Sequence, residues 1–425
     1  MSSPATSSVA VGSNRLQARE GGLRGWSVVA GAGIALSAST APIVLGTAGI
    51  FMKPIGAEFG WDRGLMSLGL TVGGILMAIA IPFLGMAIDR WGVRKVVPPA
   101  IVLMAMNLVA VAFSPPVLGI YVLLVGLLGL TGAAQNPISY VKTVSQWFDR
   151  RRGLAIGLAV TGLAIGQALV PPFTQFVVTN WGWRNAYLTL AALLVFVALP
   201  AVLLLVRDPK QIIVDGDSSV PGAHTAAPGL TVREALRTRT FWIFGLSIGL
   251  VALTIQGSMI HLVPMLTDLG WTPAAAAGTL AIAGVASIVG RVGSGLLFDY
   301  FHAPYVGAVA ILIGSVGTAL LASGVAPLLG IAALGVAVGS ETDMIAYFTA
   351  RYFGLRVYAQ LAGYLFAAYG IGSALGPLIL GLGFDNAQTY SSTLWVFAVL
   401  LIVAMGAVLL LPRQYTFPAE SSHGR

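Results

Sequence analysis

The sequence predicts an all-α membrane protein with twelve transmembrane helices arranged in two six-helix, pseudo-symmetric halves. Three observations predict this fold class: the composition, the number of long apolar segments and a repeat at half the chain length. Of the 425 residues, 57% are hydrophobic and only 9% are charged. Soluble globular domains average about 25% charged residues, so the composition excludes a water-soluble globule.

Each of the apolar segments is long enough to cross a bilayer as a helix of roughly 20 residues. Several contain glycine and proline, which membrane helices tolerate because neighbouring helices satisfy the freed backbone groups. The twelve predicted helices are 26–51, 63–88, 96–114, 117–145, 153–178, 185–206, 241–266, 273–299, 304–324, 327–350, 357–383 and 391–411.

A repeat at half the chain length relates the first six predicted helices to the last six. Two short motifs recur 210 residues later, and a longer apolar segment aligns so that Pro171 corresponds to Pro377. The repeat predicts an N-terminal six-helix half at 26–206 and a C-terminal six-helix half at 241–412. The recurring motifs are EFGW at 58–61 with DLGW at 268–271, and GMAID at 85–89 with GLLFD at 295–299.

Three polar segments lie outside the predicted halves. Residues 1–25 and 413–425 are predicted to be disordered cytoplasmic tails, and the first tail lacks the apolar region and small-residue cleavage site of a secretory signal. Residues 207–240 are rich in charge, proline and glycine, which predicts a cytoplasmic linker between the halves. A short surface helix is expected to begin at Thr231.

The distribution of positive charge predicts the orientation. Nineteen of the 23 Lys and Arg residues fall on the side of the N-terminus, which the positive-inside rule places in the cytoplasm. An even number of crossings returns the C-terminus to that side, so we predict a multi-pass protein of the cytoplasmic (inner or plasma) membrane with both termini cytoplasmic. Anionic lipid accounts for the net charge of +8, and no nucleic-acid partner is expected. The opposite side holds Lys53, Arg63 and Arg184.

Enzymatic chemistry has little support in the sequence. The chain has no cysteine, which excludes disulfides and thiolate metal sites, and it contains neither a P-loop nor an H-E-x-x-H motif. We therefore predict a protein that is not an enzyme and has no cofactor and no metal. The four histidines are too scattered to suggest a metal cluster: His224, His261, His302 and His423.

The loop GMAIDRWGVRK resembles the signature loop of the major facilitator superfamily, and that family has the same twelve helices and half-chain repeat. The loop glycines allow helices to approach closely, and an aspartate beside arginines can form charge-assisted hydrogen bonds. We therefore predict a cytoplasmic latch; the alternative is an ordinary basic loop that only sets the orientation. The predicted latch residues are Gly85, Asp89, Arg90, Gly92, Arg94 and Lys95, with Gly295 and Asp299 in the second half.

Within that superfamily, the strings QWFDRRRGLAIG, RYFGLR and EFGW resemble the branch of oxalate–formate exchangers and monocarboxylate transporters. Arg291 lies near the middle of the eighth predicted helix, GVASIVGRVGSGLLFD. A charge there costs about 2.5–3.5 kcal/mol on insertion scales, so a functional role is expected. The resemblance implies that Arg291 binds the substrate carboxylate, whose two oxygens match two parallel guanidinium N–H groups. The alternative is a structural ion pair.

Two acidic residues of the tenth predicted helix, Glu341 and Asp343, lie at a depth similar to Arg291. They are about 200° apart around the helix, so one of them is expected to face a cavity. Tyr347 follows Asp343 by four residues on the same face, which favours Asp343. Both acids are candidates for proton coupling, and their alternative is a carboxylate bonded to nearby backbone or hydroxyl groups.

Other polar side chains lie at a depth suited to a cavity. His261 is a third candidate for proton coupling, with an external gate or a plain interfacial histidine as alternatives. Each of the remaining residues is a candidate hydrogen-bond partner of the substrate, against the alternative of plain packing. They are Asn136, Tyr140, Tyr364, Tyr347 and Gln256.

The chain also departs from the families that it resembles. The eleventh predicted helix lacks the second basic residue of oxalate exchangers, which favours a substrate with one carboxylate. The first predicted helix lacks the lysine of monocarboxylate carriers, and Ser287 stands where they have an aspartate. Their proton route therefore does not carry over to this chain.

Together these observations predict a secondary active transporter of small organic anions, most of all monocarboxylates, by alternating access with proton symport or anion exchange. The expected partners are a small carboxylate substrate, protons and the lipid bilayer, and the protein is expected to be a monomer. One alternative is an exporter of drug-like or neutral solutes, in which Arg291 is structural. An alternative of another class is a membrane sensor or scaffold.

Overall fold

The computed structural model describes residues 22–145, 147–148, 151–207, 229–354 and 356–412. Most of the predicted tails and of the linker lie outside these residues. The described α-helices are α1 Gly22–Ser37, α2 Ala48–Phe59, α3 Arg63–Trp91, α4 Val93–Ala112, α5 Leu118–Gly132, α6 Pro137–Ser145, α7 Arg152–Leu193, α8 Val232–Arg237, α9 Arg239–Ile260, α10 Leu262–Asp268, α11 Pro273–Tyr300, α12 Ala303–Ser323, α13 Pro327–Phe353, α14 Tyr358–Ala387 and α15 Ser391–Leu409.

The described chain crosses a membrane twelve times. Eleven continuous helical stretches in the described ranges are long and apolar enough to span a bilayer, and one of them, Leu154–Leu205, has 52 residues. Such a helix would be about 78 Å long, more than twice the thickness of a hydrocarbon core. It breaks at Gly182, where φ is 82° and ψ is 167°, a conformation that glycine adopts readily. The predicted all-α fold with twelve transmembrane helices is therefore confirmed.

Three of the twelve spans are interrupted, although the sequence predicts each of them as one helix. The first consists of α1, a π-helical turn at Ala41–Leu45 and α2. The fourth breaks between α5 and α6 at Asn136, which is extended because Pro137 follows it. The seventh breaks between α9 and α10 at His261.

The start of α1 differs from the predicted boundary, whereas the start of α8 agrees with it. Helix α1 begins at Gly22, inside the segment 1–25 that the sequence predicts as a tail. Helix α8 follows Thr231, whose hydroxyl accepts from the backbone N–H of Glu234 while the Glu234 carboxylate accepts from the N–H of Thr231. This reciprocal cap satisfies two N–H groups and so fixes the start of the helix.

Two clusters of buried apolar residues form the cores. One draws almost wholly on the N-terminal half, and the other almost wholly on the C-terminal half. Within each half, glycines let helices approach closely, as membrane packing requires. A Cβ atom on Gly162 of α7 would overlap the backbone of Gly33 in α1, and one on Gly290 of α11 would overlap the backbone of Val336 in α13.

We call the side of the bundle that bears Gly22 and Pro412 the inner face, and the opposite side the outer face. Between α3 and α14 the halves touch near the outer face, where Gly64 packs against Leu382 and Asp385. Farther inward, a Cβ atom on Gly85 of α3 or on Gly363 of α14 would meet nothing within 4 Å. The two helices therefore separate toward the inner face.

Helices α7 and α11 show the same divergence. Gly284 of α11 lies against Ala164 and Ala168 of α7, whereas Gly157 and Gly295, nearer the inner face, have open space beside them. The two halves thus enclose a cleft that is closed at the outer face and open at the inner face.

Candidate functional site

Arg291 of α11 lies on the wall of this cleft. It shares one helix face with Gly284, Ile288 and Gly295, because the spacings of four, three and four residues repeat the turn of an α-helix. Gly284 contacts the opposite half, so this face looks into the space between the halves. The Arg291 side chain is 44% exposed there.

The guanidinium of Arg291 is only partly engaged. Nη2 donates to the hydroxyl of Thr342 at 3.3 Å, and Nε lies 3.9 Å from Oδ1 of Asp343. The second distance is too long for a hydrogen bond, so Asp343 acts on Arg291 through charge alone. A guanidinium carries five N–H donors, and the described residues supply no other acceptor for them. Most of these donors therefore have no acceptor among the described residues.

The two acidic residues of α13 occupy different environments. The Asp343 side chain is 31% exposed beside Arg291. Glu341 is buried between α9, α13 and α14, where its Oε1 accepts from Nε2 of Gln256 at 3.1 Å and from the hydroxyl of Tyr369 at 2.8 Å. Its Oε2 is buried and has no hydrogen-bond partner in the described structure. Of this pair, Asp343 faces the cleft.

The predicted substrate-binding polar residues are not all brought to the cleft. Tyr364 of α14 is exposed, whereas Tyr140 of α6 is almost fully buried. Gln256 is engaged with Glu341 and Tyr369. These positions belong to a conformation open at the inner face.

Two further predicted residues have other surroundings. Tyr347 donates to the backbone carbonyl of Phe298 at 3.0 Å and stacks on its ring, so its hydroxyl is already committed. Asn136 lies at the break in the fourth span and is half-buried. Neither residue forms a described contact with Arg291.

His261 lies away from Arg291, at the contact between the halves near the outer face. It is fully buried, with Nε2 2.9 Å from the carbonyl of Pro377 and 3.3 Å from Oγ of Ser67. Nδ1 lies 3.1 Å from the hydroxyl of Tyr390. Because Ser67 belongs to the N-terminal half, His261 bridges the two halves.

Ion pairs surround this contact and join the halves at the outer face. Asp268 of α10 binds the Arg63 guanidinium at 2.6 and 3.1 Å and the Lys53 ammonium at 2.6 Å. Asp385 of α14 accepts from the backbone N–H of Arg63 at 3.1 Å and from that of Gly64 at 2.7 Å. Arg63 also donates to the Tyr390 hydroxyl and lies over the ring of Phe384. We call the set Lys53, Arg63, Ser67, His261, Asp268, Asp385 and Tyr390 the outer gate.

The carboxylate of Asp268 is held in its ionised form. Burial by itself would raise the pKa of Asp268, but the ion pairs with Arg63 and Lys53 outweigh it and keep that pKa below its ordinary value. Its counterpart in the repeat, Glu58, binds Arg184 and Trp183 within its own half. The same acidic position thus serves a different contact in each half.

The structure describes only part of the predicted latch. Gly85 and Gly295 have open space beside them in this conformation, because the inner ends of the halves have separated, and the latch stays a prediction. Arg94 donates to the carbonyl of Leu203 at 3.1 Å, and Arg90 lies near the ring of Trp91. Two of the predicted latch side chains lie outside what the structure describes: Asp89 and Asp299.

Sequence reasoning missed most of the outer gate. Two signals could have found it: the three cations of the outer side include Lys53 and Arg63, and the repeat pairs Asp268 with Glu58. Two six-helix halves around a one-sided cleft, with Arg291 on the cleft wall and an ionic gate across the closed face, define a multi-pass membrane transporter.

Comparison with known proteins identifies the family. Residues 34–377 match the model of the Major Facilitator Superfamily, and the chain belongs to that family. It is therefore a transporter and not an enzyme, with a small-molecule substrate. The predicted resemblance to this superfamily and to its monocarboxylate branch is confirmed.

Three relatives illustrate the similarity. The chain is 27% identical to monocarboxylate transporter 13 of Bos taurus over 388 residues, covering 89% of this chain and 88% of that protein. It is 29% identical to monocarboxylate transporter 11 of Mus musculus over 337 residues, covering 76% and 73%. It is 25% identical to the uncharacterised MFS-type transporter YcxA of Bacillus subtilis over 399 residues, covering 88% and 92%.

Solved structures share the fold. A point mutant of the nucleoside transporter NupG superposes with a TM-score of 0.72 at 16% identity over 91% of this chain and 99% of that chain. A bacterial homologue of the human lysosomal transporter Spinster, inward-facing and unoccupied, gives 0.71 at 18% identity over 94% and 100%. At such identities the likeness concerns the fold alone.

Proposed function

We propose that this protein is a secondary active transporter of small organic anions, chiefly monocarboxylates, and that it works by alternating access. The observation that carries the proposal is the half-exposed Arg291 in the cleft, with most of its N–H groups uncommitted. The relatedness to monocarboxylate transporters supports the same substrate class.

The chemistry of Arg291 supports a carboxylate ligand. A cation at this depth is costly unless it faces a wet cavity or a partner, and Asp343 at 3.9 Å neutralises it only in part. A carboxylate can accept two parallel N–H bonds from the guanidinium, which is a stronger contact than charge alone. Since Arg291 is the cation of the cleft face of α11, one carboxylate per substrate is proposed. Thr342, which contacts Arg291, and the exposed Tyr364 are proposed as hydrogen-bond donors to the substrate.

Coupling is proposed to involve Asp343 and Glu341. An arriving anion would replace Asp343 as the partner of Arg291, and the released aspartate could then take up a proton. Glu341, with one buried and unpartnered oxygen, is a second place for a proton. Proton symport follows if either acid titrates during transport, and anion exchange follows if neither does.

The proposed setting is the cytoplasmic membrane, with the inner face and both termini in the cytoplasm. The excess of Lys and Arg on the side of the N-terminus supports this orientation. A monomer is proposed, because one chain already contains both halves, the cleft and the gate.

The experiment is uptake of a labelled panel of short monocarboxylates into proteoliposomes, with and without an inward proton gradient. Arg291→Gln should abolish uptake, and Arg237→Gln, on the surface helix α8, should leave it unchanged. Gradient-stimulated uptake by the native chain indicates symport, and uptake that needs only internal anion indicates exchange. A folded native chain that moves no acid would refute the proposal and favour an exporter of neutral solutes.

A further inference from the structure

A chain of hydrogen bonds through the outer gate fixes the state of His261. A carbonyl oxygen can only accept, so Nε2 of His261 must carry the hydrogen that it directs at Pro377 and Ser67. The Tyr390 hydroxyl oxygen accepts a hydrogen bond from Arg63, and the Tyr390 O–H group donates to Nδ1 of His261. This donor order, from Arg63 through Tyr390 to His261, requires a neutral imidazole.

A second proton on His261 is incompatible with this arrangement. A hydrogen on Nδ1 would face the Tyr390 hydroxyl, which would then lose the acceptor for its own hydrogen. The imidazolium would also be fully buried near the guanidinium of Arg63. Burying a charge without a partner is unfavourable, and a like charge nearby adds to the cost.

No carboxylate of the outer gate is free to compensate that charge. Around His261 the charged groups are Lys53 and Arg63 from the N-terminal half and Asp268 and Asp385 from the C-terminal half. Asp268 is shared by the two cations, and Asp385 accepts from two backbone N–H groups at the start of α3. Within the described residues, no ion pair to His261 is formed.

Opening of the outer gate would expose His261 to water. The residue lies at the break between α9 and α10, and its neighbour Ile260 is in close contact with Gly49 of the opposite half. Separation of the halves at the outer face removes Ser67 and Arg63 from its surroundings. The imidazole then regains the hydration that an ionised histidine needs.

We propose that His261 is a proton-binding site that controls the outer gate. It is neutral when the gate is closed and binds a proton when the gate is open, so that acidity on the outer side shifts the carrier toward the outward-open conformation. By linkage, a ligand that binds one conformation more tightly stabilises that conformation. This role goes beyond the proposed transport function, because it requires neither a substrate nor Arg291.

The test measures gate opening in the purified, substrate-free protein. The chain has no cysteine, so Asn180→Cys, just before the break of α7 at Gly182, and Val325→Cys, between α12 and α13, can each carry a spin label at an exposed position of the outer face. Double electron–electron resonance then measures the distances between the two spin labels, and the distance distribution gives the open and closed populations. A histidine exposed to water has a pKa of about 6.5, and below that pH one proton changes the open-to-closed ratio by at most tenfold per pH unit. Lowering the pH from about 7.5 to about 5.5 should therefore raise the ratio about tenfold.

Two variants in the labelled protein identify the responsible group. His261→Gln keeps a donor and an acceptor but cannot become charged, so it should hold the closed distance at both pH values. His302→Gln, which changes another histidine, should respond like the native chain. Asp268 does not account for the response, because its pKa is held below the ordinary value and it stays ionised at about pH 5.5. An unchanged pH response in His261→Gln, or no response in the native chain, would overturn the proposal.

Tyr390→Phe provides a second test that keeps the histidine. Loss of the hydroxyl weakens the closed gate, so the midpoint of the pH response should move to higher pH; an unmoved midpoint contradicts the proposal. Arg291→Gln should leave the response intact, which separates this inference from the proposed transport function.

Discussion

Removing the charge of Asp268 should release the outer gate. Asp268→Asn retains the shape of the side chain but loses the ion pairs to Arg63 and Lys53, which join the two halves. The closed conformation alone contains these contacts. The substitution should therefore shift the equilibrium toward the outward-open conformation.

The free energy lost on breaking the ion pair between Arg63 and Asp268 follows from the partial burial of that pair. The Arg63 side chain is 15% exposed and that of Asp268 is 31% exposed. Fully exposed pairs contribute up to about 1 kcal/mol, whereas breaking a buried pair costs about 3–5 kcal/mol. An intermediate value of about 2 kcal/mol corresponds to roughly a 30-fold change in the closed-to-open ratio.

Thiol labelling can measure this change. Thr71 lies just below the outer gate and is buried at the contact with Ala374, so Thr71→Cys introduces the single thiol of the chain at a place that opens with the gate. A membrane-impermeant maleimide added at the outer face should label this cysteine about 30-fold faster when Asp268→Asn is present.

Glu58→Gln is the matched control. Glu58 occupies the corresponding place in the repeat, but it pairs with Arg184 inside the N-terminal half, and this contact does not depend on the gate. Adding Glu58→Gln to Thr71→Cys should leave the labelling rate unchanged. Equal rates for Thr71→Cys with and without Asp268→Asn, or equal acceleration by Glu58→Gln, would refute the reasoning.

Three further predictions concern the cleft and the packing of the halves. Arg291→Lys retains the charge but loses the planar pair of donors, so KM for a monocarboxylate should rise about tenfold in proteoliposome uptake, and an unchanged KM would contradict carboxylate binding. Asp343→Asn should abolish stimulation by a proton gradient while exchange continues, and a retained stimulation would exclude Asp343 as the proton site. Gly162→Ala places a Cβ atom against the backbone of Gly33, so thermal unfolding should show a loss of about 1–3 kcal/mol, whereas Gly157→Ala, with open space beside it, should show no loss.

Much of the fold could be predicted because its signal is local. A run of about 20 apolar residues is sufficient to form a membrane helix, since the helix satisfies its own backbone groups. The breaks at Asn136 and His261 were missed because apolar composition continues across them. At Asn136 the following proline was an available signal.

The candidate site could be predicted only in part. The angle between Glu341 and Asp343 follows from helix geometry, so the expectation that one of them faces a cavity needed no tertiary information. The hydrogen-bond partners of Glu341 could not be predicted from the sequence, because Gln256 and Tyr369 come from other helices. The outer gate required the packing of the two halves.

The sequence by itself determined the number of helices, the repeat of the two halves and the presence of one arginine in the middle of a membrane helix. These features depend on residues close together along the chain, or on composition. The tertiary structure alone decided that Arg63 meets Asp268, 205 residues away, and that the cleft opens at the inner face. Such contacts depend on how two finished halves pack, and one chain can pack them in more than one way.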